Sequence, residues 1–192
     1  MGKSASGKDS VYRYLLERSG LGLRKMTLYT TRPIRAGEEN GREYYFVDEE
    51  RFAALQWQGR VAEARTYQTE YGPWIYFTAD DPDMDLSRFS YLGIGTLESY
   101  GKLRASYKEG TVCPIYIEVE DGERLQRALL RERREDRPRY QEMCRRFLAD
   151  DEDFSQEKLL EAGIVRRFRN EAFDESVREI VSYIQEQRKR RT

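Results

Sequence analysis

Apolar residues along this chain change repeatedly from helical spacing to strand spacing, with glycine and proline between the segments. The first helix is predicted over residues 9–18, where Val11, Leu15 and Leu16 share one face and Gly20 and Gly22 end the pattern. Further helices are predicted at 48–58, 97–110, 122–135 and 173–191, and residues 136–163 are predicted to be mostly helical. Strands are predicted at 25–29, 43–47, 60–68, 70–78, 89–95, 111–120 and 164–170.

The order of these elements indicates one domain of the α/β class. From residue 89 onward, predicted strands alternate with predicted helices, which favours a parallel sheet flanked by helices. Residues 42–78 resemble a small separate α+β lobe, and the acidic stretch 78–85 resembles a linker back to the main body. A chain of 192 residues is long enough for one good-sized core.

Composition narrows the chemistry. The chain has 34 Lys and Arg against 35 Asp and Glu, which does not favour a general nucleic-acid binder. It has no histidine, so histidine-based nucleophilic sites and imidazole-bound zinc are excluded. Its two cysteines indicate no disulfide framework, and no apolar run approaches the roughly 20 residues that span a bilayer. We expect a cytoplasmic protein without membrane or nucleic-acid partners, and the profile suits phosphoryl transfer.

The first residues, MGKSASGKDS, carry the G-x-x-x-x-G-K pattern of a phosphate-binding loop. In such a loop, glycines let backbone amides point at a phosphate, the next helix adds its N-terminal dipole, and Lys8 supplies a charge. The pattern continues with Ser or Thr for magnesium, but Asp9 stands there and Ser10 follows. A flexible glycine-serine terminus is the alternative interpretation. The predicted donor-binding residues are Gly2, Ser4, Ala5, Ser6, Gly7, Lys8, Asp9 and Ser10.

A second motif, TTRPIRAGEENGREYYFV at residues 30–47, closely resembles the acceptor-binding segment of guanylate kinases, TTR-x-x-R-x-G-E-x-x-G-x-x-Y-x-F. With the phosphate loop before it and VRRFRNEAFDESVREI near the end, the resemblance spans essentially the whole chain. It implies a P-loop NTPase-type parallel sheet with an inserted lobe that binds the nucleoside monophosphate (NMP) and a helical lid. The implied parts are a core (1–29, 86–130 and 162–192), an NMP-binding lobe (30–85) and a lid (131–161).

The resemblance assigns acceptor residues. It implies that Arg32, Arg35 and Tyr44 hold the phosphate of GMP, that Glu63 accepts hydrogen bonds from guanine, and that Tyr71 also reaches the phosphate. The residue chemistry agrees for the arginines, because Pro33 biases Arg32 toward an extended conformation in which two guanidinium groups could converge on one phosphate. The alternatives are solvated loop arginines, a salt-bridged strand glutamate and a tyrosine that only packs.

The resemblance also assigns a closing lid and an adenine contact. Arg133 and Arg146 match the two lid arginines best, with Arg134 and Arg145 as rivals, and they would neutralise charge in the transition state. Asn170 matches a turn beside the adenine of ATP. A solvated helical face and an ordinary strand-to-helix turn are the alternatives.

The chain also departs from the family pattern. Guanylate kinases carry a D-x-D strand where this chain reads Leu92, Gly93, Ile94 and Gly95. Two family hydroxyl positions hold Pro73 and Leu28. We therefore expect guanine selection to be less secure than phosphate binding, and Mg²⁺ to be held mainly by ATP phosphates with Ser10 or Asp9 assisting. The aspartates at 80, 81, 83 and 85 fit a solvated linker better than a metal site.

The leading hypothesis is an enzyme that transfers the γ-phosphate of ATP to GMP with Mg²⁺. The alternatives are a related kinase for another phosphorylated acceptor, such as ribose 1,5-bisphosphate, and a non-catalytic module that binds an acidic or phosphorylated peptide. The family places an apolar strand directly before the phosphate loop. If Met1 is the true start, we expect a sheet without its central strand, a poorly anchored loop and marginal stability.

Overall fold

The structure, a computed structural model, describes residues 1–69, 72–79 and 84–190. The helices are α1 (Lys8–Glu17), α2 (Glu49–Trp57), α3 (Leu97–Ser106), α4 (Asp121–Glu132), α5 (Tyr140–Asp153), α6 (Gln156–Glu161) and α7 (Phe173–Lys189). The strands are β1 (Arg24–Lys25), β2 (Tyr29–Thr30), β3 (Tyr45–Phe46), β4 (Val61–Thr69), β5 (Gly72–Ala79), β6 (Tyr91–Leu92), β7 (Tyr116–Glu118) and β8 (Arg167–Arg169). Parallel strand pairs occur together with helices throughout, so the predicted α/β class is confirmed.

The chain forms two compact units. The loop unit comprises Met1–Leu21, Ile94–Leu97 and Cys113–Thr192, and the sheet unit comprises Gly22–Gly93 and Glu98–Val112.

In the loop unit, β7 pairs in parallel with β8. Met1 adds parallel-type hydrogen bonds on β7, because its nitrogen donates to the Ile115 oxygen at 2.7 Å and its oxygen accepts from the Ile117 nitrogen at 2.9 Å. Helix α7 packs against α1 and β8 through an apolar stripe. The buried residues of α1 and α7 are Val11, Leu15, Ser176, Val177, Ile180 and Ile184. Burial of this stripe holds the first helix, and with it the residues that precede α1.

In the sheet unit, four strands lie in the order β3-β2-β5-β4. The β2–β3 pair is parallel, whereas β5 is antiparallel to both β2 and β4. One face of this sheet packs on α2 through Leu55, Phe77 and Ala79. Strands β1 and β6 form a separate parallel pair.

Several strands are shorter than their sequence patterns predicted. The predicted strand at 25–29 is divided into β1 and β2, which pair in different sheets. Met26 still donates to the Leu92 oxygen of the β1–β6 pair, whereas Tyr29 and Thr30 pair with Phe77 and Tyr76. The apolar pattern of residues 25–29 predicted a strand, but it did not predict that β1 and β2 pair with different strands.

Candidate functional site

The phosphate loop, residues 2–8, is curled by backbone angles that few side chains tolerate. Ala5 has a φ of 60° and Gly7 a φ of 82°, both in the left-handed region. A Cβ on Gly7 would lie 2.4 Å from the Nδ2 atom of Asn170, and one on Gly2 would lie 2.6 Å from the Ile117 oxygen. Close approach therefore requires glycine at both positions, and at Gly7 the left-handed conformation favours it as well.

Helix α1 begins directly after this loop and offers an anion-binding end. Gly7 is its N-cap and supplies no side-chain hydrogen bond to the first turn. The amides of that turn and the positive end of the helix dipole consequently remain for a ligand such as a phosphate. Lys8 is half-buried at this end, and Asp9 and Ser10 are exposed beside it.

Asn170 holds the phosphate loop through its side chain. Its Nδ2 donates to the Ser6 oxygen at 2.8 Å, and its backbone nitrogen donates to the Glu118 oxygen at 2.9 Å at the end of β7. The side chain is thus committed to the loop, while its buried Oδ1 has no partner within the described residues. An adenine contact by Asn170 stays a prediction.

A buried arginine holds the phosphate loop at Ser4. Arg124 on α4 is almost completely buried, and its Nη1 donates to the Ser4 oxygen at 3.2 Å. Its Nε and Nη2 both donate to Asp121, at 3.0 and 2.7 Å. Its guanidinium carbon lies 4.4 Å from the ring centre of Phe147 on α5. The arginine therefore connects the loop, α4 and α5.

Two carboxylates of α5 complete this loop network, which comprises Lys3, Ser4, Asp121, Arg124, Asp150 and Asp151. Asp150 accepts from the Ser4 amide at 2.7 Å, and Asp151 pairs with the Lys3 ammonium at 2.6 Å. Arg124 donates to both, at 3.5 and 3.2 Å. The loop was expected to be poorly anchored. It is instead held by Met1, by Asn170 and by this network, which join residues more than 100 positions apart.

The predicted lid arginines lie on the surface of the loop unit. Arg146 donates to Glu142 at 2.7 Å, and Arg145 makes two bonds to the same carboxylate. These hydrogen bonds lower the pKa of Glu142 to about 2. Within the described residues, no hydrogen bond or ion pair joins Arg133 or Arg146 to the phosphate loop. Their proposed closing role remains a prediction.

A cleft of about 560 Å³ opens between the end of α4 and the start of α5. Arg146 lines it with the three further arginines Arg131, Arg137 and Arg139 and four carboxylates, so its wall is charged throughout. This composition suits contact with a charged ligand or water rather than an apolar one.

No cluster of three or more metal-binding side chains occurs in residues 1–69, 72–79 and 84–190. That arrangement is compatible with magnesium, which usually takes one or two protein ligands and otherwise substrate phosphates and water. The exposed Asp9 and Ser10, in the first turn of α1, fit such a limited contribution. In the same described residues, no helix combines the length and apolar character needed to cross a membrane.

The second candidate site lies on the sheet unit and follows from strand alternation. Phe77, Tyr29 and Ala64 face the apolar core, so their neighbours in sequence face the opposite side. A register shift between Val61 and Glu63 sets the phase of β4. The polar face, as we call this opposite side, carries Thr30, Phe46, Glu63, Arg65, Tyr67, Trp74, Tyr76 and Thr78. Arg32 and Tyr44 join it through their contacts with the rings of Phe46 and Tyr76.

Arg32 lies at this face with its guanidinium held by one carboxylate. Nη1 and Nη2 donate to the two oxygens of Glu38 at 2.9 and 2.8 Å, and Nη1 also donates to the Pro33 oxygen. The hydrogen bond from Arg32 lowers the pKa of Glu38. The guanidinium carbon lies 5.6 Å from the ring centre of Tyr44 and 5.2 Å from that of Phe46. These contacts hold the guanidinium group in one orientation, and its binding of a phosphate stays a prediction.

The other predicted acceptor residues differ in their surroundings. Arg35 is exposed, with its guanidinium 5.9 Å from the Trp74 ring. Burial raises the pKa of Tyr44, and nearby Tyr76 raises it further, so the phenol stays protonated and can donate to a phosphate. Glu63 is buried and accepts from Thr78 at 3.0 Å and from Arg65 at 3.2 Å. Tyr71 lies outside the described residues, as do the aspartates at 80, 81 and 83.

Sequence reasoning missed the loop network on one unit and Arg65 and Tyr76 on the other. The network joins positions that are far apart in the chain, so no local pattern revealed it. Arg65 could have been found, because the period of two in a strand places it on the same face as Glu63. Tyr76 is opposite Arg65 in the register of β4 and β5.

Comparisons with known proteins agree on one family. Residues 1–79 match the family model described as guanylate kinase. A guanylate kinase from Oleidesulfovibrio alaskensis is 38% identical over 128 residues, which are 66% of this chain and 59% of that protein. One from Bradyrhizobium diazoefficiens is 43% identical over 70 residues, covering 36% of this chain and 32% of that protein. The matches thus span less than two thirds of these relatives' own length.

A solved structure extends the likeness to nearly the whole chain. The crystal structure of guanylate kinase from Anaplasma phagocytophilum matches with a TM-score of 0.59 and 22% identity, covering 97% of this chain and 83% of that one. At this identity the match shows the fold. The predicted resemblance to guanylate kinases and the α/β fold class are therefore confirmed, whereas the division into a core, an NMP-binding lobe and a lid stays a prediction.

Proposed function

We propose that this guanylate kinase-like chain is a phosphotransferase that moves the γ-phosphate of ATP to GMP, giving ADP and GDP. The observation that carries the proposal is the phosphate loop, whose left-handed backbone leads into the uncapped end of α1 beside Lys8. An acceptor face with an oriented arginine fork and a buried glutamate supports the choice of a nucleoside monophosphate. A reaction that consumes ATP and GMP is expected in the cytoplasm.

In the proposed reaction, the loop amides and Lys8 hold the donor phosphates. Arg32, Arg35 and Tyr44 hold the acceptor phosphate, with Tyr71 as a further predicted ligand. No covalent intermediate is needed, because positioning and charge neutralisation supply most of the catalysis of phosphoryl transfer. Arg133 and Arg146 are proposed to add positive charge where negative charge spreads over the transferred phosphoryl group.

Magnesium bound to the ATP phosphates would neutralise part of their charge. Ser10 and Asp9 are the residues that we propose as its protein ligands. The network around Ser4 and Lys3 keeps the loop in one conformation, so fewer degrees of freedom are lost when the donor binds. The hydrogen bond from Asn170 to the Ser6 oxygen restricts the loop in the same way.

A direct assay tests the proposal. The purified protein is incubated with ATP, Mg²⁺ and, separately, GMP, IMP, AMP and ribose 1,5-bisphosphate, and both products are quantified. We expect GDP and ADP to form in equal amounts. Lys8→Met should lower kcat by about 100-fold or more, because one transition-state charge contact is lost. Lys158→Met, an exposed lysine of α6, serves as the control and should keep kcat unchanged. Absence of GMP phosphorylation by the wild-type protein contradicts the proposal.

A further inference from the structure

Arg65 forms an ion pair with the buried Glu63 of the polar face. Glu63 and Arg65 are two residues apart on β4, and their partners on β5 are Thr78 and Tyr76. Two residues apart on a strand means the same face, so all four side chains belong to one patch. The ring of Tyr76 lies 5.5 Å from that of Tyr44, which places this patch next to the predicted phosphate ligands.

The hydrogen bonds of this patch leave some groups available. Thr78 donates to Oε1 of Glu63 and the Nε of Arg65 donates to Oε2. Each carboxylate oxygen can accept two hydrogen bonds, so one position remains on each. The terminal nitrogens of Arg65 donate no hydrogen bond within the described residues. Acceptors of Glu63 and donors of Arg65 therefore lie side by side.

Exposure indicates which partner a ligand meets first. The Glu63 side chain is 1% exposed, whereas that of Arg65 is 12% exposed. A base that approaches the carboxylate from solvent consequently contacts the guanidinium as well. By the resemblance described above, the family carries further polar groups where this chain has Gly93, Gly95 and Pro73, and none of these three has a side chain that can donate or accept a hydrogen bond.

We propose that Arg65 is a specificity-determining residue that donates hydrogen bonds to the O6 edge of a 6-oxopurine, while Glu63 accepts from N1 and N2. Guanine presents this combination of an acceptor and adjacent donors. Adenine presents an amino donor in place of O6, which would face the guanidinium and leave donors unpaired. The inference rests on the proposed function, because it concerns the acceptor base of that reaction.

The test separates base recognition from phosphate binding. In Arg65→Lys the charge beside Glu63 is kept, so the pair and the fold are retained, but the fork of terminal donors is lost. kcat/KM is measured for GMP, IMP and AMP at saturating ATP in the wild-type and variant proteins. We expect GMP and IMP, which both carry O6, to lose the same factor of about 10 to 100, and AMP to change by less than about threefold.

Two further measurements make the result decisive. Arg51→Lys, an exposed arginine of α2, is the matched control and should leave all three substrates unchanged. Melting-temperature shifts by GMP and AMP, recorded without ATP, report base preference in the absence of turnover. They should show the same loss for GMP alone in Arg65→Lys.

The outcomes distinguish this inference from the proposed function. An equal loss for GMP, IMP and AMP means that Arg65 acts on the phosphate or on the fold, and overturns the inference while the kinase proposal stands. Unchanged values for all three also overturn it. If the wild-type protein phosphorylates none of the three, the proposed function fails, and the GMP-specific melting shift still decides the role of Arg65.

Discussion

Arg124 in the loop unit and Arg65 in the sheet unit carry the same five N–H donors but use them differently. Arg124 makes five hydrogen bonds to Ser4, Asp121, Asp150 and Asp151. Arg65 makes one, to Glu63, within the described residues. The first guanidinium is saturated by the protein, whereas the second retains N–H donors that make no hydrogen bond within the described residues. Burial of an arginine therefore does not indicate its role, but the number of its remaining donors does.

The largest expected effect is on the saturated arginine. Arg124→Met keeps packing on Phe147 but leaves the carboxylates of Asp150 and Asp151 without their buried cation. We expect the free energy of unfolding to fall by about 3 kcal/mol, measured by denaturant titration, because breaking a buried pair leaves charge uncompensated.

The control for this change lies on the same helix. Arg131→Met replaces an exposed arginine and should alter stability by less than about 0.5 kcal/mol. Equal effects of Arg124→Met and Arg131→Met would break the distinction between a saturated and an available guanidinium.

The two units also differ in how tightly their loops are packed. Gly7 and Gly37 have φ angles of 82° and 83°, but a Cβ meets Asn170 at 2.4 Å only at Gly7, and meets nothing within 4 Å at Gly37. Both alanine variants should lose about 1 kcal/mol from backbone strain. Gly7→Ala should lose a further 1–2 kcal/mol or so from the overlap. Thermal unfolding of both variants measures the difference, and equal losses would contradict the packing described for the phosphate loop.

Arg32 is intermediate, with three hydrogen bonds to Glu38 and Pro33. In Glu38→Gln the charge that orients the Arg32 guanidinium is lost. We expect the KM for GMP to rise about fivefold with kcat nearly unchanged, which corresponds to roughly 1 kcal/mol of binding free energy. Glu39→Gln, an exposed neighbour, is the control. A fall in kcat at constant KM would mean that Glu38 acts in the transition state instead.

The smallest effect concerns Glu142, whose pKa is lowered to about 2 by hydrogen bonds from Arg145 and Arg146. Because the folded pKa is depressed, this stabilisation is present above the ordinary value of 4.5 and is lost as the pH falls from there toward 2. Glu142→Gln should therefore lose less stability than wild type over that window, by a small and salt-sensitive margin since the pair is exposed. Parallel stability curves of the two proteins, recorded by circular dichroism across pH 4.5 to 2, would contradict this assignment.

Sequence patterns predicted the elements whose hydrogen bonds join residues close together in the chain. The phosphate loop, α1 and the helix around Leu55 follow from glycine spacing and apolar periodicity, because their hydrogen bonds join near neighbours. The division of residues 25–29 between two sheets could not be predicted in this way, because it depends on which distant strand accepts each amide.

The candidate site was predicted unevenly for the same reason. Arg32 and Lys8 stand in motifs whose spacing carries their chemistry. Arg124 stands in an arginine-rich helix, where nothing in the sequence distinguishes it from the exposed Arg131. Its partners Ser4 and Asp150 lie 120 positions before it and 26 positions after it, so only the folded arrangement identifies it.

In the four-stranded sheet, residues with odd and even numbers along β5 face opposite sides. Along β5, Ile75 and Phe77 pack on the core, while Tyr76 and Thr78 border the patch that contains Arg65. A substitution at an even position of this strand leaves the odd positions in place. Under the role proposed for Arg65, single replacements on one side of the sheet change the preferred acceptor while the core sequence stays under separate selection.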